Sequence, residues 1–308
     1  MKVSIVVPCF NEEDNVVPLS EEIVKQMESI GKYDYELIFI DNDSRDKTRT
    51  LIKDICSKNP KIKAIFNARN YGQFSSPYYG MLQATGDCVI LMCCDFQDPV
   101  EMIPEYLAQW EKGYKIVLGQ KTQSKESAFI YRCRKFYYNF MRKHSEIEFL
   151  KQVTGSGLYD RRFIEVMRQI DDPQPFLRGI VAEQGFGIKL IPFEQPKRVS
   201  GKSSNSFYDY VNIAAQSLTS YTRFGCRLAL FCGTLAGILS IILLIVSIAY
   251  SLINTGALNF NTELLGLIIL LAVSMNMFFI GVVGEYVMDA NRHTRKRPMV
   301  IEQERINF

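Results

Sequence analysis

Between Arg227 and Glu263, and again between Glu263 and Glu285, the chain carries no Asp, Glu, Lys or Arg. The apolar stretches inside these gaps, residues 228–251 and 264–284, each supply the roughly 20 helical residues needed to cross a hydrocarbon core of about 30 Å. A buried helical hairpin in a large soluble core is the plainer alternative, but uncharged length of this kind is uncommon there. The expectation is a two-helix transmembrane hairpin tied to a soluble head, with the partner of that head in the membrane.

The flanks set an expected orientation. Arg223 and Arg227 precede the first stretch, and Arg292, Arg295, Lys296 and Arg297 follow the second, while residues 252–262 hold no Lys or Arg. Positive residues stay on the cytoplasmic side, so both ends are expected in the cytosol. Residues 1–10 lack a basic region followed by a long apolar core, so no cleavable signal peptide is expected. The eight cysteines form no CxxC pair and read as free thiols of a reducing compartment.

A formal net charge of +3 is too small to suggest a nucleic-acid partner, and no basic run resembles a DNA-reading element. The placement of the charge says more. Lys121, Lys125, Arg132, Arg134, Lys135, Arg142 and Lys143 are interleaved with aromatics, and Glu126 is the one acid among them. That is the composition of an interfacial helix. A second amphipathic segment, 207–224, leads into the first apolar stretch.

Within the first 120 residues, β-branched and apolar runs at 3–7, 35–40, 62–66, 88–92 and 115–119 predict strands. Helical spacing over 15–30, 47–57, 76–84 and 104–112 separates them. Alternation of this kind implies a mostly parallel sheet with helices on both faces. Ligands bind beyond the carboxyl ends of such strands, where three polar clusters fall: 8–13, 41–46 and 95–98.

Asp95, Gln97 and Asp98 make an oxygen-rich turn of the sort that suits a hard divalent cation shared with substrate phosphates. An ordinary Asp-Pro turn is the competing explanation. Asp41 offers an acceptor for a base or ribose edge, and a helix cap is its alternative role.

Several ordered motifs carry a family resemblance. Val7-Pro-Cys-Phe-Asn-Glu12, Phe39-Ile-Asp-Asn-Asp-Ser-Arg-Asp-Lys-Thr48, Arg69-Asn-Tyr-Gly72, Ala84-Thr-Gly-Asp87 and Asp95-Phe-Gln-Asp-Pro99 are followed by Gly157-Leu-Tyr-Asp-Arg-Arg162, Phe176-Leu-Arg-Gly179 and Arg198-Val-Ser-Gly-Lys-Ser203. The set resembles family-two glycosyltransferases, most of all the polyprenyl-phosphate branch of bactoprenol glucosyltransferases and dolichyl-phosphate mannose synthases.

The resemblance implies a GT-A-type, Rossmann-like α/β head over residues 1–203, a juxtamembrane segment at 204–226, two transmembrane helices within 227–288 and a cytosolic basic tail at 289–308. It implies that Pro8, Phe10, Glu12, Asp41 and Asp95 bind a nucleotide sugar, with Arg198 and Lys202 closing over the diphosphate. Asp95 and Gln97 would hold Mg²⁺ or Mn²⁺, and Asp160 would join Asp95 as a catalytic carboxylate. An ion pair with Arg161 or Arg162 is the other role open to Asp160. Lys121, Arg132 and Arg134 are candidates for the acceptor phosphate.

The implied reaction is inverting transfer of a hexose, from a UDP-sugar by subgroup resemblance, to a polyprenyl phosphate at the cytoplasmic face of a bacterial inner membrane. Two departures from the family pattern stand out. Cys93 occupies a position where an aspartate is usual, and a neutral thiol is a poor Mg²⁺ ligand. Asn42 also replaces a common aspartate. They motivate a second reading, a catalytically silent membrane subunit; a transferase extending a lipid-linked oligosaccharide is a third. Gly233, Ala236 and Gly237 could let helices approach closely, which leaves homo-oligomers open.

Overall fold

A computed structural model describes residues 1–122, 132, 139–141, 150, 153–170, 172, 175–196, 222, 224–255, 262–294 and 297–308. Strands β1 (Lys2–Cys9), β2 (Asp34–Asp41), β3 (Ile62–Asn67) and β4 (Cys88–Leu91) are joined by helices α1 (Val16–Ile30), α2 (Thr48–Lys58) and α3 (Gly72–Gln83). Helix α4 (Ile103–Glu111) leads into β5 (Ile116–Lys121). These elements follow the predicted alternation. Helix α3 begins at Gly72 instead of residue 76 and carries Pro77 within it.

Strands β6 (Val153–Asp160) and β7 (Ile188–Phe193), with α5 (Arg161–Gln169) and α6 (Leu177–Glu183), extend the sheet beyond the part legible as alternating runs. Gly157 shows why the pattern was weak. Its φ is 153°, and a Cβ there would sit 2.2 Å from Val117 O, so β6 carries glycine where a strand residue would normally pack.

The sheet order is β7-β5-β6-β4-β1-β2-β3-β8, where β8 is Glu302–Ile306. Only β6 and β8 run antiparallel to their neighbours. Val3, Ile5, Val7, Leu37 and Phe39 bury against the α1/α2 side, while Val6, Ile38, Ile40 and Val89 bury against α3 and α5. Coverage on both faces is what makes these strands continuously apolar.

Strand β8 corrects the expectation of a basic tail. After the long helices the chain returns to the sheet, pairing Ala64 with Ile306 and Asn67 with Glu302. Described residues among 1–141, 150–196 and 297–308 form one compact unit, and those among 222–294 form another.

In the second unit, α7 (Phe224–Thr255) and α8 (Thr262–Thr294) run for 32 and 33 residues. They meet where Gly225 approaches Val282 and Tyr286, and the Tyr286 hydroxyl donates to Thr222 O at 2.9 Å. Among the described residues, no helix is long and apolar enough to cross a membrane. The exposed side chains described on both helices are nonetheless rich in large apolar residues, among them Leu230, Phe231, Ile245, Ile253, Met277 and Ile280. Asn276, which could have bonded a neighbouring helix, donates to Ala272 O of its own helix at 2.9 Å. The amphipathic segment 207–221 lies outside the described residues.

Candidate active site

The parallel register determines what meets at the carboxyl edge. Cys9 lies opposite Asp41, and Val6 lies opposite Leu91, so the turns after β1, β2 and β4 open at one edge of the sheet. Cys9, at the end of β1, and Cys94, in the turn after β4, are both buried in one apolar cluster. The first two turns are also tied directly. Asn11 N donates to Ser44 Oγ at 2.9 Å, Arg45 N to Asn11 Oδ1 at 2.8 Å, and Glu12 N to Thr48 Oγ1 at 2.8 Å.

Each turn contains a non-glycine residue in the left-handed region: Asn11 at φ 56°, Asp43 at 69° and Phe96 at 58°. Such conformations cost of order 1–3 kcal/mol and gather at functional sites. Sequence reasoning located the turns but had no signal for this strain beyond the Asn and Asp at two of them.

Pro8, Phe10 and Glu12 are half-buried at this edge. The Glu12 carboxylate accepts from Asn15 Nδ2 at 2.6 Å. Asp41 departs from its expected role of meeting a ligand directly. It has no exposed surface, and its carboxylate accepts from Arg49 Nε at 2.6 Å and from Ser44 N at 3.2–3.3 Å. A covered carboxylate so bonded holds the 41–46 turn in shape, and the surface that it offers a ligand is that of the turn.

Asn42 is a fastener. Its Nδ2 donates to Asn70 Oδ1 at 2.9 Å and to Gly72 O at 3.2 Å, while its Oδ1 accepts from Tyr71 N at 2.9 Å and Asn67 Nδ2 at 3.1 Å. It thereby secures the Arg69–Gly72 motif beside β2. Asn67 Oδ1, buried beneath that motif, has no partner, the kind of orphan that calls for a functional explanation.

At the third turn, Asp95 accepts from Gln97 N at 3.1 Å and is almost fully buried, while Gln97 is half-exposed. Asp98 closes the turn by accepting from Cys93 N at 3.1 Å. Burial raises its pKa, opposed by a bond from Ser156. Ser156, on β6, also lies 3.8 Å from Cys93 Sγ; no sequence signal marked it. Cys93 reaches solvent, yet the atoms crowding its sulfur, followed by Asp98 and Asp95, push its thiol pKa well up. A neutral thiol there is no hard-cation ligand.

Among the described residues, no group of three or more His, Cys, Asp or Glu could hold a metal alone. One carboxylate and one carboxamide fit a Mg²⁺-type ion that takes its remaining oxygens from a substrate diphosphate and water.

Asp160 is not at this edge. Because β6 runs antiparallel, Asp160 pairs with Cys88 at the start of β4. Its carboxylate accepts from Trp110 Nε1 at 2.7 Å, Lys115 Nζ at 3.0 Å and Arg162 N at 3.0 Å, the last as the cap of α5. Burial works against its ionised form, but Trp110, the Arg162 amide and Lys115 outweigh it and lower the pKa. The expected catalytic role is replaced by a structural one, and the ion pair is with Lys115. Lys121 ends β5 at the correct edge, and Arg132 is exposed. Arg134, Arg198 and Lys202 lie outside the described residues.

Residues 4–165 match the family model described as glycosyl transferase family 2. The chain belongs to that family. Among its relatives, a prophage bactoprenol glucosyl transferase homolog of Escherichia coli K12 is 28% identical over 302 residues, 98% of each chain. The bactoprenol glucosyl transferase of Shigella phage SfX is 26% identical, covering 99% of this chain and 100% of its own. The crystal structure of a mycobacterial protein overlays 71% of this chain and 72% of its own with a TM-score of 0.51 at 13% identity. Family membership places the turn holding Asp95 and the edge built by β1, β2 and β4 inside the matched region; β7, β8 and the long helices lie beyond it.

Proposed function

We propose that the protein transfers a hexose from a nucleotide sugar, a UDP-sugar by kinship, to a polyprenyl phosphate, with inversion at the anomeric carbon. The convergence of the Phe10–Glu12, Asp41–Asp46 and Asp95–Gln97 turns at one sheet edge, in a family 2 chain, carries this reading. The names of the bactoprenol relatives support the lipid acceptor.

The nucleoside lies along Pro8, Phe10, Glu12 and the turn that Asp41 holds, and the diphosphate lies toward Asp95 and Gln97. A divalent cation, Mg²⁺ or Mn²⁺, neutralises charge on the leaving diphosphate when bound. Arg198 and Lys202 add fixed positive charge there. The acceptor phosphate is already anionic near neutral pH, so no strong base is required, consistent with Asp160 acting elsewhere. Lys121, Arg132 and Arg134 receive that phosphate.

The head works at the cytoplasmic face of a bacterial inner membrane, held there by the uncharged stretches 228–251 and 264–284. Two observations favour this: the uncharged stretches and the exposed apolar side chains along α7 and α8. Arginines and lysines flank the two apolar stretches on their outer sides, which favours cytoplasmic ends.

Purified protein incubated with polyprenyl phosphate, Mn²⁺ and a panel of UDP- and GDP-sugars is expected to yield lipid-linked sugar from one donor class. No product from any donor contradicts the proposal. A second reading, a silent nucleotide-sugar-binding subunit, is favoured by Cys93; it predicts donor binding without turnover.

A further inference from the structure

We propose that β8 is a positioning element of the donor site, acting through Gln303 and Arg49. This rests on the reading that a nucleoside occupies the β1–β2–β3 end of the edge. The guanidinium of Arg49 has a partner in each of three elements: Nε donates to Asp41 Oδ2 at 2.6 Å, Nη2 to Asn67 O at 2.7 Å and Nη1 to Gln303 Oε1 at 2.9 Å. A planar fork bonded on three sides has one orientation, so it sets the spacing between the β2 turn and the end of β3.

The residue just before β8 secures the stem of the Arg69–Gly72 motif, since Ala68 N donates to Ile301 O at 2.9 Å. Tyr79 OH donates to Glu302 at 2.9 Å, and Asn307 Nδ2 donates to Cys56 O and Ile62 O at 2.9 and 2.7 Å. These contacts anchor β8 at both ends, leaving Gln303 to act on Arg49. All of this comes from residues that follow the apolar helices and lie outside the matched family region. The site is therefore incomplete without the returning chain.

Gln303 is exposed, so water can solvate Arg49 Nη1 when Gln303 is removed, and the fold tolerates the change. The test uses the full chain in detergent, with UDP and GDP as calorimetric probes in the presence of Mn²⁺ and thermal unfolding measured without nucleotide. Gln303→Ala is expected to weaken binding of the preferred nucleotide about three- to tenfold, the range for one lost hydrogen bond, with the unfolding temperature unchanged. Gln303→Glu, which keeps an acceptor for Arg49, is expected to restore binding. Glu304→Ala, which removes only the surface pair with Lys53, is expected to bind as wild type. Equal affinity of Gln303→Ala and wild type overturns the inference while leaving the functional reading intact. Wild-type protein that binds neither nucleotide overturns both.

Discussion

Trp110 Nε1 donates to Asp160 Oδ2 at 2.7 Å, at the end of the sheet remote from Asp95. A carboxylate that takes an indole N–H, a lysine and a helix amide together is built into the scaffold. Asp160→Asn is expected to lose the charge-assisted part of these bonds, about 1–3 kcal/mol, and to lower the unfolding temperature by several degrees. Differential scanning calorimetry checks this. Turnover at a temperature where the variant is folded is expected to stay within about twofold of wild type.

Asn42 stands where the family resemblance leads one to expect an aspartate, and placing an aspartate there is expected to harm this protein. Asn42→Asp removes the donations to Asn70 Oδ1 and Gly72 O and buries a charge among acceptors. The expected cost is about 1–3 kcal/mol, with a weaker affinity for the donor nucleotide because the Arg69–Gly72 motif loses its tie to β2. Calorimetric unfolding and nucleotide titration of the variant measure the two effects; a more stable variant contradicts the assignment.

Glu36 gives the fold a defined response to acid. It is buried on β2, and burial alone raises its pKa, but donations from Lys2, Lys63, Ser4 and the Thr85 amide prevail and lower it to about 2. The folded pKa lies below the unfolded value of about 4.3, so the stabilisation is complete above that value and disappears as pH falls through about 2. Its size is about 3 kcal/mol, in order of magnitude. Glu36→Gln is expected to be less stable than wild type at pH 7, with the gap closing between pH 4.3 and 2. A gap that is constant across that window contradicts this account.

The parallel core was legible because β1 to β5 are covered on both faces and so read as unbroken apolar runs. The three site turns were legible because each follows such a run. Asp160 was misplaced because a motif in the sequence carries no strand direction: β6 is antiparallel, so its last residue falls at the opposite end from its neighbours' last residues. Asp41 was expected to face a ligand, and only the structure shows Arg49 covering it. Strand β8 was hidden for another reason. Glu302–Ile306 is a polar edge strand whose partner, β3, lies more than 230 residues earlier in the chain, and its alternation is too short to oppose the basic composition before it.

The most direct measurement compares Asp95→Asn with Asp160→Asn in synthesis of lipid-linked sugar from nucleotide sugar, polyprenyl phosphate and Mn²⁺. With the carboxylate proposed to face the metal and diphosphate removed, Asp95→Asn is expected to fall by about 100-fold or more, while Asp160→Asn retains turnover. The reverse result, an active Asp95→Asn and a folded but inactive Asp160→Asn, contradicts the placement of the chemistry at the carboxyl edge.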